Sequence, residues 1–370
     1  MSKTDSTVTY PLSFALTPST DARAEVEREE ILADPGFGKH FTDHMVTIDW
    51  SIEAGWHDAR VTPYGPLLLD PASSVLHYGQ EIFEGLKAYR HADNSIWTFR
   101  PEKNAERLQR SAQRLALPEL STPDFIESVR QMIAIDGDWV PSAPETSLYL
   151  RPFMIANESF LGVRAAHKVS FYVIASPAGA YFSDGVAPVK IWLSTEYSRA
   201  GRGGTGAAKC GGNYAASLLP QMQAYENGCA QVLFLDGETG THVDELGGMN
   251  VFFVHGTDTI VTPRLTGSIL EGVTRDSIMQ LARDRGMTVE EREVTLAEWR
   301  EGVASGAITE VFACGTAAVV TPIGQLKARD FTVGEPDAPA GAITLSLRQE
   351  LTDIQYGRLP DRHGWLTRLD

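Results

Sequence analysis

Strand-like and helix-like stretches alternate along almost the whole chain, and that alternation confines it to folds in which helices are layered on sheets. In the first half, HMVTIDW (44–50) and SLYLRPFMIA (147–156) read as strands. RPEKNAERLQRSAQRLAL (100–117) opens a helix at Pro101 and sets Leu108, Ala112 and Leu115 at helical spacing. Between them, LKAYRHADNSIWTF (86–99) predicts two strands around a polar turn. TPDFIESVRQMIAI (122–135) predicts an amphipathic helix, with Thr122 as its cap and Pro123 in the first turn. EVEREE (25–30) reads as the solvated face of a short helix.

The composition breaks at ASPAGAYFSDGVAP (175–188), where small residues follow the apolar strand VSFYVIA. That break predicts a smaller N-terminal domain (1–176), an interdomain loop (177–188) and a larger C-terminal domain (189–370). The second part runs strand VKIWLS, a glycine-rich segment, helix YAASLLPQMQAYE, strand AQVLFLDG, strand GMNVFFVHG, helix TRDSIMQLARDRG, strand TVEEREVT and strand TEVFACGTAAVVTP. There is no fixed-period repeat and no low-complexity tract, so a mixed α/β fold in two unequal domains is expected.

The 370 residues suffice for two real cores, and 43% hydrophobic with 22% charged residues is the balance of an ordered globular chain. A net charge of -16 with no Lys/Arg cluster repels nucleic-acid phosphates and anionic lipid, so neither is an expected partner. The N-terminus lacks a basic stretch followed by an apolar core, and no apolar run approaches a membrane span. Cys210, Cys229 and Cys314 are odd in number and far apart, which suggests neither a disulfide framework nor a metal site. A cytoplasmic protein without a metal is the expectation.

One segment stands apart: GGTGAAKCGGNYAAS (203–217) sets a single lysine, Lys209, among glycines and alanines. Such residues give up stability for close backbone approach. A P-loop would need glycine before the lysine and a hydroxyl after it, whereas Ala208 and Cys210 stand there. A dinucleotide fingerprint fails as well, because GRGGTG (201–206) holds no G-x-G-x-x-G running from strand into helix. A lysine amine kept partly neutral by crowded, apolar surroundings can instead condense with an aldehyde.

Pyridoxal phosphate chemistry needs, besides that lysine, an acid at the ring nitrogen, a donor at the phenolate oxygen, and an arginine with a helix N-terminus for the phosphate. Glu245 in THVDELGGMNVFF stands at the start of a strongly apolar strand, and Tyr214 follows Lys209 by five residues at a helix start. Arg107 lies on the helix after WTFRPEKN. LEGVTRDSIMQLA (270–282) turns through glycine into a helix whose free amides around Val273 and Thr274 favour an anion. CGTAAV (314–319) adds a small-residue turn with a hydroxyl at Thr316. Singly, each has an ordinary structural role; jointly they suggest a site.

The stretches FGKHFTDHMVTIDW, LHYGQEIFEGLKAYR, LYLRPFMIANESFLGV, GGTGAAKCGGNYAAS, DELGGMNVFFV, GSILEGVTRDSI and EVFACGTAAVVTPI, taken in order, resemble the branched-chain amino acid aminotransferases of the fold type IV pyridoxal phosphate enzymes. The resemblance runs from about residue 35 to the C-terminus. It implies that Lys209 forms the imine with pyridoxal 5′-phosphate and shuttles the substrate proton. Glu245 would hold the ring nitrogen, Tyr214 the phenolate oxygen, and Arg107, Val273, Thr274 and Thr316 the phosphate. Phe37, Tyr78, Phe83, Tyr149 and Tyr181 would line the side-chain pocket, with Gly248 and Ala317 in turns near the substrate and Arg151 meeting the side-chain carboxylate of glutamate.

The implied reaction is reversible ping-pong transamination of leucine, isoleucine or valine with 2-oxoglutarate, in a homodimer. Gly248 departs from relatives that carry threonine in this turn, which removes one hydroxyl contact. D-Amino acid aminotransferases and aminodeoxychorismate lyases share the lysine and glutamate; the aromatic set with Arg151 favours branched L-substrates. A non-catalytic nucleotide-binding α/β protein is the rival from another class, and it would be colourless.

Overall fold

The computed structural model describes residues 12–179 and 186–370, organised on two nine-stranded sheets. The first passes from edge to edge through Ala15–Leu16, Gly55–Pro63, His44–Ser51, Lys168–Ala178, Ser147–Ala156, Leu86–Arg90, Ile96–Phe99 and Leu366–Arg368, with Glu81–Phe83 paired to Ser147–Ala156. Only its first pair is parallel. An antiparallel sheet can bury one face and leave the other open. Strand Ser147–Ala156 does this over its central residues: Leu148, Leu150 and Met154 are buried, while Tyr149, Arg151 and Phe153 alternate with them on a more open face. Helices Pro101–Arg114 and Thr122–Asp136 supply Leu108, Phe125 and Val129 to the core against Ile48, Ile82 and Phe171.

The cap of the second of these helices differs from expectation. Ser121, not Thr122, is the N-cap, and its Oγ accepts from the Asp124 amide at 3.1 Å; Thr122 is already helical. With a proline opening the helix, the last extended residue before it is Ser121, so its hydroxyl is the one that reaches the open amide. Ser121→Ala should lower the unfolding free energy by about 1 kcal/mol, and Thr122→Ala by much less, in urea denaturation.

The second sheet is mixed, in the order Val243–Leu246, Gln231–Leu235, Val189–Ser194, Val319–Lys327, Ile308–Gly315, Asn250–His255, Thr259–Pro263 and Thr288–Arg292, with Thr332–Gly334 on Val319–Lys327. Val189–Ser194 and Gln231–Leu235 run parallel, joined by a crossover through helix Gly211–Glu226. The glycine-rich lysine segment therefore lies in the loop beyond the end of a parallel strand, where open α/β sheets place their ligands. The stretch expected as one strand, TEVFACGTAAVVTP, is two antiparallel strands around residues 316–318, with Gly315 opposite Val319. Small residues allow the reversal, and Val319 closes it at φ +60°, a strained value for a β-branched side chain.

The change from one sheet to the other falls between Ala178 and Val189, and Leu366–Arg368 then returns to the first sheet beside Ile96–Phe99. The cores interlock as well: Ala208 and Cys210 are buried in the first core, and Tyr89, Phe99 and Trp365 pack with Phe252, Phe312 and Leu347. Among the described residues no helix is long and apolar enough to cross a membrane.

Candidate active site

The small residues around Lys209 let its backbone pass between the two halves. The Lys209 carbonyl accepts from the Phe83 amide at 2.9 Å, and its own amide donates to Ser111 Oγ at 2.9 Å. Asn213 donates to the carbonyls of Thr205 and Ala208, both at 2.8 Å, and closes the preceding turn. A Cβ on Gly206 would run into the Ser268 backbone, so no side chain fits there.

So held, Lys209 directs Nζ to the Tyr214 hydroxyl at 2.8 Å and lies 4.8 Å from the centre of the Phe83 ring. Burial, reinforced by the Arg107 charge and opposed by Glu84, pulls its pKa down to about 8. Among the described residues no carboxylate pairs with it. Burial likewise pushes the Tyr214 phenol up to about 12, with the Glu245 charge adding to the effect.

Glu245, on strand Val243–Leu246, is almost fully buried. Burial raises its carboxyl to about 7, against an ion pair with Arg199 and a 2.9 Å bond from the Leu270 amide that both favour the anion. Asn250 donates to its other oxygen at 3.1 Å and to the Leu270 carbonyl at 3.0 Å.

Opposite this acid, helix Val273–Asp284 begins after Gly272 with no side-chain cap, which leaves its first amides open to an anion. Gly272 is forced, because a Cβ there would collide with Asn250 Oδ1. Arg107 reaches the same cleft with Nε and Nη2 bound at 2.8 Å to the two oxygens of fully buried Glu84, and Nη1 on the Glu271 carbonyl at 3.0 Å. Although burial opposes ionisation, Arg107 and Asn104 hold the Glu84 carboxyl below the usual carboxylate range. Thr316 and Ala317 close this side, and Lys87 Nζ donates to the Ala317 carbonyl at 2.9 Å.

The remaining wall is aromatic. Phe37 meets Tyr149 edge-on at 5.1 Å, and the Arg151 guanidinium lies 4.8 Å from the Phe83 ring centre and 5.4 Å from that of Tyr149. Arg151 also donates to the Tyr149 hydroxyl at 3.2 Å, while its buried Nε has no partner. That hydroxyl sits so close to the backbone of Gly85 that it occupies the place a Cβ would take.

Phe37, Phe83, Arg107, Tyr149, Arg151, Lys209, Tyr214, Glu245, Gly248, Val273, Thr274, Thr316 and Ala317 thus border one cleft of about 200 Å³. Tyr78 does not join them in its own chain. The short helix Ser74–Tyr78 ends at left-handed Gly79 on the surface, and the Tyr78 hydroxyl is taken by the Leu161 carbonyl at 2.5 Å. Tyr181 lies outside the described residues. Sequence reasoning missed Glu84, Lys87, Ser111, Arg199 and Asn250. Glu84 and Lys87 stand in FEGLKAYR, one of the stretches that carry the resemblance, but Arg199 in STEYSRAGR has no local signal. Among the described residues no three metal-ligating side chains converge.

The family described as amino-transferase class IV matches residues 81–326. A branched-chain-amino-acid aminotransferase of Mycolicibacterium smegmatis is 58% identical over 364 residues, which cover 97% of this chain and 99% of that protein. The crystal structure of the Escherichia coli branched-chain amino acid aminotransferase superposes with a TM-score of 0.72 at 28% identity, over 84% of this chain and 97% of that one. The T.th. branched-chain amino acid aminotransferase complexed with N-(5′-phosphopyridoxyl)-L-glutamate gives 0.72 at 29% identity, over 87% and 98%. The same T.th. enzyme has also been crystallised with 4-methylvaleric acid.

Proposed function

Since the chain belongs to the class IV aminotransferases, and within them to the branched-chain amino acid aminotransferases, we propose that it transfers amino groups reversibly between L-leucine, L-isoleucine or L-valine and 2-oxoglutarate by a ping-pong mechanism. Its cofactor is pyridoxal 5′-phosphate. The residues present fit that group. Open amides at the start of helix Val273–Asp284 suit a phosphate, a buried carboxylate faces the cleft, and Lys209 is free of any carboxylate partner among the described residues. Val273, Thr274, Thr316 and Arg107 would hold the phosphate, Tyr214 the phenolate oxygen, Glu245 the ring nitrogen, and Lys209 the aldehyde carbon. When bound, the cofactor supplies an electron-withdrawing ring that stabilises negative charge at the substrate Cα.

The chain's own residues do the rest. The Lys209 amine would take the proton from the substrate Cα and return it there in the reverse direction. Its depressed pKa keeps a useful fraction neutral near neutral pH. Phe37, Phe83 and Tyr149 offer an apolar wall to a branched side chain. Arg151, stacked on that wall, would pair with the second carboxylate of glutamate and otherwise stay against the rings. The observation that carries this reading is the convergence of Lys209, Glu245 and the uncapped helix start on one cleft beside that wall.

The test is an absorption spectrum followed by an assay of L-leucine with 2-oxoglutarate. Visible cofactor absorbance, parallel double-reciprocal lines and no turnover of D-alanine are expected; a colourless protein or a preference for D-alanine refutes the reading. The capture rate of pyridoxal phosphate by apoprotein should rise about tenfold per pH unit below pH 8 and level off above it, because only the neutral amine attacks. Stopped-flow absorbance measures this, and a flat profile contradicts it.

Gly248 is not a left-handed glycine, and a Cβ there would meet only Tyr214 Cε1, at 3.8 Å. Gly248→Ala should therefore leave thermal stability unchanged or slightly raised while increasing KM for leucine, since the methyl enters the cleft.

A homodimer is part of the proposal, supported by the exposed apolar face of helix Gly211–Glu226 at Leu218, Leu219, Met222 and Tyr225. In that assembly Tyr78 and the residues near Leu161 would serve the neighbouring site. A cytoplasmic location is likewise proposed, and the three unpaired, buried cysteines support it.

A further inference from the structure

Arg199 is a buried cation that the reaction as described does not use. It follows strand Val189–Ser194, and its side chain is 4% exposed. A single nitrogen, Nη2, faces three oxygens: the Gly206 carbonyl at 2.9 Å, the Ser268 carbonyl at 2.7 Å and Glu245 Oε1. Its Nε is buried with no partner, so the guanidinium is not placed simply to satisfy its own donors.

Each of the three oxygens belongs to a segment that leads to a residue bordering the cleft and assigned above to the cofactor. Gly206 lies three residues before Lys209, in the turn where Ala207 donates to the Gly267 carbonyl at 3.0 Å. Ser268 is in the loop that runs through Leu270, whose amide binds Glu245, to the open amides at Val273 and Thr274. The third oxygen is the carboxylate itself. Around it the charges are crowded, because Asp244, the preceding residue, is also buried, with an oxygen 3.0 Å from Ser268 Oγ and the charges of Asp236 and His242 near it, and Arg199 is the cation paired with Glu245 that also favours the Asp244 anion. Lys209 lies further off, and the Leu270 amide and Asn250 are neutral donors.

We propose that Arg199 is a positioning residue for the cofactor, holding Glu245 as the anion that faces the ring and setting the spacing between that carboxylate, the lysine segment and the loop to the phosphate end. The inference rests on the functional reading above. Without Arg199 two acids would remain buried side by side, and the simplest relief is for Glu245 to take a proton. A protonated Glu245 no longer keeps a proton on the ring nitrogen, so Cα proton removal slows although Lys209 is intact.

The test compares holoenzyme variants Arg199→Met, Arg199→Lys, Glu245→Gln and the double variant Arg199→Met with Glu245→Gln. Single-turnover bleaching of the cofactor band by L-leucine, the pH dependence of that band and the cofactor dissociation constant are measured for each. Arg199→Met should slow bleaching on the order of 10- to 100-fold and alter the band as Glu245→Gln does; the double variant should be no slower than Glu245→Gln alone. A wild-type band and rate in Arg199→Met, or effects that add to those of Glu245→Gln, overturn the proposal.

If Arg199→Met does not fold, Arg199→Lys decides. Keeping the charge but shortening the reach, it should retain the wild-type band and bind the cofactor about tenfold more weakly. Wild-type affinity, or the band of Glu245→Gln, overturns the inference. If instead the wild-type protein takes up no pyridoxal phosphate or does not act on leucine, the functional reading has failed rather than this one.

Discussion

Lys209→Ala should abolish turnover of leucine, to at least 1,000-fold below wild type by order-of-magnitude argument, while the protein keeps its thermal transition and still takes up the cofactor weakly. The reason is geometric. The segment is anchored through main-chain bonds to Phe83 and Ser111 that alanine preserves, so only the amine is lost. Among the described residues no other amine is bonded to Tyr214: Lys87, also with a pKa lowered to about 8 by burial, is spent on the Ala317 carbonyl. Coupled assays and the visible spectrum read the two halves of the prediction, and retained turnover with a wild-type spectrum would remove Lys209 from the chemistry.

The largest expected loss of stability lies at Glu84. Its carboxylate is completely buried and grips Arg107 through two parallel bonds, with Asn104 and the Gly85 amide on the same group. Glu84→Ala strands a buried guanidinium, and breaking one side of such a pair costs roughly 3–5 kcal/mol. The double variant Glu84→Leu with Arg107→Met should recover much of that stability, because the penalty comes from the unpaired charge rather than from loss of the bridge. Cofactor affinity should not recover, since Arg107 serves the cleft.

The pair also sets an acid limit. The Glu84 carboxyl lies below its ordinary range in the folded protein, so its contribution is complete above the unfolded value of about 4.5 and fades as pH falls through the depressed one. Urea denaturation at pH 7 and pH 4 should show the gap between wild type and Glu84→Ala narrowing on acidification. A constant gap would mean that the carboxylate is not what stabilises the fold.

Local order accounts for how much of the molecule was legible. The strand expected over 147–156 has those bounds in the structure, because alternation of buried and open positions is written in consecutive residues, and it places Tyr149 and Arg151 on one face without further information. The helix opened by Pro101 is equally local. The reversal at 316–318 was half legible: CGTAAV reads as a small-residue turn, but the apolar character of Ile308–Gly315 and Val319–Lys327 continues on both sides of it, so the same stretch also reads as one strand. The return of Leu366–Arg368 to the first sheet joins residues more than 260 positions apart, and periodicity carries nothing about such pairing.

Sequence alone determined the mixed layering, the isolated lysine in its glycine-rich run, and the residue types from which a cofactor site could be made. Their order in the chain also carried the family resemblance. Tertiary structure decided which charges face which: that Glu84 neutralises Arg107, that Arg199 reaches Glu245 across 46 positions, and that Tyr78 turns away from its own cleft. The division follows from range. Propensity and periodicity act over a few residues, whereas the pairing and desolvation of charges depend on the atoms that folding brings together from distant parts of the chain.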